Sequence, residues 1–289
     1  MYKRQVEDRP LVAIDRLGDA AVEAYERSGG SPLSGLRVLD LTRVIAGPVA
    51  TRFLAGWGAD VLRVEAPGFH EMELLHIEVG FGKRSCELDL RTDAGRAAFE
   101  ALVTGADVVV HGYRPGALRG LGYPAEALAA LRPGLVVAGL SAYGAAGPWA
   151  ERRGFDSLVQ MSSGIAAEGA AVAGSERPVP LPCQLLDHAT GYLLALGALR
   201  GVQRRSRDGG SWVVGVSLAR TAAWLERLGR DPDGFARPEP TADEVEPWCQ
   251  ISPTPWGDVH HVGPPGRIGD ARPGWHRPPS RPGTDPPCW

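Results

Sequence analysis

The sequence predicts an α/β fold, a Rossmann-like parallel sheet covered by helices, with an irregular C-terminal arm. Two observations support this fold class. Short apolar segments of strand character alternate with segments of helical periodicity, the rhythm of βαβ units. Residues 230–289 lose that rhythm and are dominated by Pro and Gly, which favour turns over regular structure. At 289 residues and 44% hydrophobic content, the chain is long enough to bury a substantial core.

The predicted elements follow the chain in order. A short helical pattern lies within residues 13–32 and ends at Gly and Pro. Buried strands are predicted over residues 37–41, 60–65, 107–112, 135–141 and 212–218. Helices are predicted after Pro48, where proline suits the first turn, and over residues 92–104, 186–205 and 219–229.

This pattern divides the chain into three segments. Residues 1–34 are interpreted as an N-terminal appendage, residues 35–229 as a large α/β domain, and residues 230–289 as the C-terminal arm. The arm contains large apolar side chains that could anchor an extended segment: Trp248, Trp256, Trp275 and Trp289.

Composition excludes several classes of function. The formal net charge is −3, from 31 basic and 34 acidic residues, so no global field favours nucleic acid. The four cysteines are widely spaced and form no CxxC, so we expect neither a metal site nor a disulfide framework. No apolar run approaches the ~20 residues that span a bilayer, and the first residues lack an apolar signal core. We therefore expect a soluble cytoplasmic protein that binds no membrane.

The first strand, loop and helix resemble the start of a nucleotide-binding fold. The second strand ends in Glu65, where a dinucleotide site would place an acid on a ribose. The loop between them reads TRVIAGP, however, with one glycine where a pyrophosphate-binding loop needs three. A dinucleotide or methyl-donor site is therefore disfavoured.

Two other segments are weak candidates for binding an anionic ligand. Lys83, Arg84 and Arg91 cluster near two glycines, and basic groups in a loop suit phosphates, although a solvated loop would look the same. Residues 112–114 follow a buried strand, at the end of a parallel sheet where ligands bind, although a plain turn explains them equally well.

Asp187 is the most distinctive residue of the chain. It interrupts the apolar segment LPCQLLDHATGY at the expected start of a long helix. A carboxylate there is favoured by the positive helix end, and it could equally be an N-cap or a first-turn acid. His188 is an improbable partner, because consecutive residues of a helix point in different directions.

Taken together and in this order, the segments resemble CoA-transferase family III, the group that includes formyl-CoA and carnitine-CoA transferases and α-methylacyl-CoA racemase. The resemblance covers about residues 33–220. It rests on LSGLRVLDLTRVIAGPVATRFLAGWGADVLRVEAPG, GKRSCELDLRTDAGRAAFEALVTGADVVVHGYRPGAL, the segment from GLGYPAEAL to LVQMSSG, and LLDHATGYLLALGAL.

The resemblance implies roles for individual residues. The nucleophilic aspartate of the family falls on Asp187. Contacts with coenzyme A fall on Arg43, Val44, Ile45 and Ala46, on Leu88 and Arg91, on Gly112, Tyr113 and Arg114, and on Arg153, Gly154, Phe155 and Asp156. No permanently bound cofactor is implied, because coenzyme A is part of the substrate.

The implied activity is transfer of CoA from an acyl-CoA to a small carboxylic acid through an aspartyl-CoA thioester on Asp187, in a homodimer. Two alternatives stay open. An α-methylacyl-CoA racemase would need a histidine where this chain has Phe155. A non-catalytic CoA-binding module of a longer protein would fit a second departure, because little of the family's smaller domain lies between Arg220 and the arm.

Overall fold

The computed structural model describes residues 6, 9–68, 71–114, 116–231 and 233–289. Its centre is a seven-stranded sheet, and a two-stranded hairpin lies in the C-terminal arm. The strands are β1 (Ala13–Gly18), β2 (Arg37–Leu41), β3 (Asp60–Glu65), β4 (Lys83–Glu87), β5 (Val108–His111), β6 (Val136–Ser141), β7 (Ser211–Ser217), β8 (Cys249–Thr254) and β9 (Gly257–Val262).

Helices connect the strands and cover both faces of the sheet. They are α1 (Ala46–Gly56), α2 (Glu73–Gly80), α3 (Asp93–Thr104), α4 (Ala117–Gly120), α5 (Ala125–Leu131), α6 (Asp156–Ser163), α7 (Ile165–Ala173), α8 (Leu185–Asp208), α9 (Leu218–Arg227) and α10 (Ala242–Val245). Short 3₁₀ turns span Gly234–Ala236 and Glu246–Trp248. Within the described part of the chain, no helix is both long and apolar enough to cross a membrane.

The strand order β1-β7-β6-β5-β2-β3-β4 determines where a ligand can bind. Strands β2 to β7 are parallel, and β2 lies between β3 on one side and β5 on the other. The chain therefore changes direction across the sheet at the β2–β5 pair. In open α/β sheets the crevice beyond the carboxyl ends of the strands at such a point is the usual ligand site.

Alternate residues of each strand build two separate cores. In β2, Val38 packs on the face covered by α1 and α8, whereas Leu39 packs on the face covered by α3 and α5. Val108 and Val109 of β5 divide in the same way. Because both faces of a parallel sheet are buried, its strands read as continuous apolar runs. This pattern explains why the fold class and these strands were predicted correctly.

The N-terminal segment differs from the prediction. Residues 13–18 form strand β1, not part of a helix, and β1 pairs antiparallel with β7, with Ile14 opposite Val214. Pairing with the sheet edge overrides the weak local helical pattern. Residue 34 as a domain boundary stays a prediction, and residues 1–5, 7 and 8 of the proposed appendage lie outside the described residues.

The C-terminal arm packs along the open edge of the sheet at β4. The main chain of Ser85 in β4 bonds Asp285 twice: its N–H donates to the Asp285 carboxylate at 2.8 Å, and its carbonyl accepts the Asp285 N–H at 2.7 Å. The indole of Trp289 donates to the carbonyl of Leu102, and that of Trp275 to Arg52. An unpaired strand edge is thereby covered.

The prediction for the arm was correct in part. Most of it is irregular, but the hairpin β8–β9 was not predicted. Trp256 packs between His76 and Arg281, which places it among the anchoring residues with Trp275 and Trp289. Trp248 was wrongly grouped with them, because it is 70% exposed.

Candidate active site

Asp187 lies in the first turn of α8, two residues after its first residue. It does not cap the helix, because the N-cap position is Gln184. Its side chain accepts no hydrogen bond from any residue that the structure describes, and the residue is only 7% exposed. The N-cap interpretation of Asp187 is therefore wrong, and its carboxylate is left without a structural partner.

Two effects raise the pKa of Asp187 to about 7: burial comes first, and the nearby carboxylate of Asp156 second. Both disfavour the charged form, against the weaker pull of the positive helix end. A carboxyl group with a pKa near neutrality in a largely buried position is typical of functional sites.

Asp156 connects α6 to the start of α8. It is the first residue of α6 and is buried, and its Oδ2 accepts the main-chain N–H of Asp187 at 2.9 Å. Its Oδ1 accepts from the amide of Gln160, whose own oxygen accepts the N–H of Leu181 at 2.8 Å. This chain of bonds holds the Asp156 carboxylate against the first turn of α8, next to Asp187.

Close packing of α8 on α1 brings the start of α8 next to the start of α1, which follows β2. Gly191, one turn after Asp187 on the same face of α8, packs so close to α1 that an added Cβ would lie 2.5 Å from the carbonyl oxygen of Ala46. Only glycine permits that approach. Ala46 begins α1 and ends residues 42–46, the segment after β2 that we call the switch loop.

The switch loop contains an unusual backbone conformation. Among the non-glycine residues that the structure describes, Val44 alone has a left-handed φ, at +68°. A β-branched residue is seldom found there, because its side chain crowds the backbone. Such outliers concentrate at functional sites.

Two acids with buried side chains bond the switch loop, one at Thr42 and the other at Val44. Asp40, the fourth residue of β2, accepts from the N–H and hydroxyl of Thr42. Glu71 accepts the N–H of Val44 with one oxygen and the guanidinium of Arg63, at 2.6 Å, with the other.

Asp40 belongs to a fully buried ion pair. Its second oxygen accepts from Lys83 Nζ at 2.9 Å and from the hydroxyl of Thr51 at 2.5 Å. Burial alone would raise the pKa of Asp40, but Lys83, Arg63 and two threonine hydroxyls outweigh burial and hold that pKa below its usual value. Burial lowers the pKa of Lys83 to about 8, against the pull of Asp40.

The turn after β5 lies on the other side of the crevice. His111 of β5 is in register with Leu41 of β2, so Gly112–Arg114 and the switch loop leave adjacent strand ends. Burial raises the pKa of Tyr113, and the charge of Arg43 in the switch loop opposes that shift. The structure therefore brings two of the predicted contact segments together.

A cavity of about 260 Å³ opens beside this turn, beyond the carboxyl ends of β5, β6 and β7. Its walls are mainly apolar, and its polar lining includes His111, Tyr113, Ser141, Tyr143 and Ser217. Burial lowers the pKa of His111 to about 4, so its imidazole is neutral at physiological pH.

The sequence profile of CoA-transferase family III matches residues 33–229. This chain belongs to CoA-transferase family III. A probable fatty acyl-CoA transferase of Mycobacterium tuberculosis, Rv3272, is 33% identical over 72% of this chain and 57% of its own length. A succinyl-CoA–D-citramalate CoA-transferase of Chloroflexus aurantiacus is 33% identical over 65% of this chain and 49% of its own.

The solved structures agree with this membership. The crystal structure of Rv3272 superposes with a TM-score of 0.64 at 34% identity, covering 69% of this chain and 57% of that one. A CAIB/BAIF family protein from Brucella suis gives a TM-score of 0.60 at 26% identity, covering 80% and 65%. The chain thus spans about half the length of the curated relatives it matches.

Other residues that the family resemblance singles out lie further along the strand ends. Leu88 follows β4 and its N–H donates to the carbonyl of Glu65, at the end of β3. Arg91 is exposed and forms a two-point ion pair with Asp89. Arg153 and Arg114 are exposed as well, and Phe155 is 57% exposed. Contact of these side chains with coenzyme A stays a prediction.

The interpretation of Lys83 and Arg84 as phosphate ligands in a loop is wrong. Both lie in strand β4, where Lys83 is buried against Asp40 and Arg84 pairs with Asp60 at 2.9 Å. Their charges are already neutralised inside the protein.

Sequence reasoning missed the two acids that hold the switch loop. Asp40 did leave a signal, because an acid inside the apolar strand RVLDL requires a buried partner. Glu71 left none, because it sits in a segment without periodicity.

A group of potential metal ligands lies at the C-terminal hairpin: Cys249 and His260 on its strands and Glu246 in the 3₁₀ turn before it. Their ligand atoms lie within 4.8 Å of one another. An exposed ion pair of 3.3 Å between Glu246 and His260 accounts for that proximity.

Proposed function

We propose that this chain is an acyl-CoA:carboxylate CoA-transferase that works through an aspartyl-CoA thioester on Asp187. The observation that carries the proposal is the environment of Asp187: its carboxyl group bonds no side chain or main-chain group of the described residues, it lies near Asp156, and its pKa is raised to about 7. Near neutral pH such a group ionises readily, yet it is poorly solvated and therefore reactive.

The chemistry proceeds by exchange of acyl partners. The Asp187 carboxylate attacks the thioester carbonyl of the donor, which forms a mixed anhydride and releases CoA thiolate. The thiolate attacks the aspartyl carbonyl, which frees the donor acid and leaves Asp187-CoA. The acceptor carboxylate then attacks the aspartyl carbonyl of Asp187-CoA, which forms a second mixed anhydride and again releases CoA thiolate. The thiolate attacks the acyl carbonyl of the acceptor, which forms the new acyl-CoA and expels Asp187 as its carboxylate. Several lower barriers replace one high barrier, and no water is consumed.

Mass spectrometry tests the intermediate. Protein incubated with an acyl-CoA and then with hydroxylamine should carry a hydroxamate on Asp187, because hydroxylamine attacks the aspartyl thioester. The same protein incubated with free coenzyme A should carry none. Modification at a different residue, or no modification while transfer proceeds, would refute the role of Asp187.

The racemase alternative is less well supported by the residues. Racemisation needs two proton-transferring groups on opposite faces of the α-carbon. The position before Asp156 is Phe155, whose ring cannot transfer a proton. Exchange of deuterium into the α-carbon of a 2-methylacyl-CoA would reverse this ranking.

The non-catalytic alternative rests on the length of the match. Since the chain spans about half of its relatives, the parts of those proteins beyond the match could be needed for turnover. Titration calorimetry with coenzyme A, followed by turnover assays with several acceptor acids, separates the two. Binding without transfer would favour a binding module.

We also propose a homodimer. Phe155, at the N-cap of α6, and Leu158 and Met161 on α6 are spaced by three residues and are exposed, as is Leu196 on α8. Apolar surface of this kind next to a site favours a protein interface. Sedimentation analysis should give twice the chain mass, and a monomer at micromolar concentration would refute the dimer.

A further inference from the structure

The switch loop holds a conformation that its own sequence disfavours. Val44 lies at φ +68°, and a β-branched side chain in that region persists only where surrounding contacts enforce it. The hydroxyl and N–H of Thr42 bond Asp40, but those bonds act two residues before Val44.

Glu71 acts on Val44 directly. One of its carboxylate oxygens accepts the Val44 N–H, and the Nε of Arg43 lies 3.9 Å from the same oxygen. The other oxygen accepts from Arg63 at 2.6 Å. The Glu71 side chain is only 4% exposed, so these bonds are shielded from water. A carboxylate that accepts a main-chain N–H makes one of the stronger protein hydrogen bonds.

The arrangement requires a carboxylate. Both of its partners, the Val44 N–H and the Arg63 guanidinium, are donors. A carboxylate offers acceptors on both oxygens, whereas an amide turns a donor toward one of the two partners. Arg63 is itself buried, and its guanidinium also forms an ion pair with Glu65 at 3.2 Å. It therefore cannot move away to relieve that conflict.

We infer that Glu71 is a positioning residue that holds the switch loop in its coenzyme A-binding conformation by fixing Val44 in the left-handed region. The inference rests on the proposed function for the claim that the switch loop contacts coenzyme A. Glu71 acts through the main chain of Val44 and is assigned no contact with the ligand.

A double-mutant cycle on coenzyme A affinity tests this. Glu71→Gln should weaken binding about tenfold, or about 1.4 kcal/mol. Val44→Gly removes the strain, because glycine adopts positive φ without cost. In the Val44→Gly background, Glu71→Gln should therefore weaken binding less than about threefold, or about 0.65 kcal/mol. Glu73→Gln is the matched control, since Glu73 is exposed on α2 two residues away, and it should leave affinity unchanged.

Amide hydrogen exchange tests the inference independently of the proposed function. Without ligand, the Val44 amide should exchange slowly in the wild type and at least about tenfold faster in Glu71→Gln. If the wild type binds no coenzyme A, the proposed function fails, and this exchange measurement still decides whether Glu71 holds the loop. Unchanged exchange, or equal affinity losses in both backgrounds, would overturn the inference. If Glu71→Gln fails to fold, Glu71→Asp, which withdraws the carboxylate by one methylene, takes its place in both measurements.

Discussion

Two aspartates of this protein are buried in opposite electrostatic environments. Asp40, on β2, is surrounded by Lys83, Thr42 and Thr51, and its pKa lies below the usual value. Burial and, among the residues that the structure describes, the like charge of Asp156 raise the pKa of Asp187, on α8, to about 7.

The difference between these two environments distinguishes an acid with a structural role from an acid that can react. A buried carboxylate that is fully paired is stable and inert, because its lone pairs are used. A buried carboxylate with a like charge beside it and no cation retains reactivity, at a cost in stability to the fold. Burial is common to both residues, so the partners, and not the burial, distinguish their roles.

The largest expected effect is on catalysis. Asp187→Asn keeps the shape of the side chain but removes the nucleophile, so CoA transfer should fall by at least on the order of 10³-fold. Below about pH 4, where the Asp187 carboxyl is neutral like the amide, the free energy of unfolding should change by less than ~1 kcal/mol, because no described residue bonds that side chain. Turnover assays and chemical denaturation on one preparation measure both. A folded variant with normal turnover would end the nucleophile proposal.

The same Asp-to-Asn substitution at Asp40 should act mainly on the stability of the fold. Asp40→Asn leaves the Lys83 ammonium buried without its counter-ion, which costs about 3–5 kcal/mol of unfolding free energy. The double variant Asp40→Asn/Lys83→Met removes both charges and should recover most of that loss. Urea denaturation of the single and double variants checks this. A single variant as stable as the wild type would show that the pair contributes nothing.

The pH dependence of transfer should reflect the pKa of Asp187. Because the carboxylate is the reactive form, transfer should rise as pH increases through about 7. Asp156→Asn removes a like charge, so the rise should move to lower pH while Asn retains an oxygen for the Asp187 N–H. Rates in buffers of constant ionic strength measure the midpoint. A midpoint that stays in place would exclude Asp156 as a cause.

The same shift predicts how stability changes with pH. The pKa of Asp187 is raised in the folded state, so between about pH 4 and about pH 7 the folded protein binds more protons at this site than the unfolded chain. This group therefore favours folding at low pH, and its contribution declines as pH rises through that window. The unfolding free energies of the wild type and of Asp187→Asn should be measured as a function of pH. The difference between them should decline across this window, and a difference that does not change with pH would contradict the raised pKa.

Sequence patterns identified Asp187 but not its surroundings. An acid inside an apolar helix start is visible in the letters LPCQLLDHATGY, and the family resemblance adds the nucleophile role. The pairing of Asp187 with Asp156 joins residues far apart in the chain, so no local pattern could reveal it. Lys83 was misread for the same reason: whether a lysine near glycines faces solvent or a buried acid depends here on Asp40 of β2, two strands away in the sheet.

The fold was more predictable than the site. Parallel strands buried on both faces leave continuous apolar runs, as in DVVVHG, and these runs survive in any sequence that forms such a sheet. Strand β1 and the hairpin β8–β9 depend on pairing at an edge or on a turn, and their sequences have little apolar contrast. Such elements take their structure from partners that are distant in sequence or only half-buried.

The smallest expected effects come from substituting two threonines, one near each aspartate. Thr51 and Thr190 are both buried, and Val matches the shape of either side chain. The Thr51 hydroxyl donates to the charged Asp40 at 2.5 Å, so Thr51→Val should cost about 1.5–3 kcal/mol of unfolding free energy.

Thr190→Val should cost about 0.5–1.5 kcal/mol, because its hydroxyl bonds only the neutral hydroxyl of Thr221, at 2.7 Å. Thr221 would also keep its bond to the carbonyl of Ser217 at 3.2 Å, so no donor is left buried and unpaired. Urea denaturation of the two variants side by side measures the ratio, with transfer rates as the check that the site stays intact. Equal losses would mean that the charge of Asp40 adds nothing to its hydrogen bonds, and that the two aspartates differ less than their partners indicate.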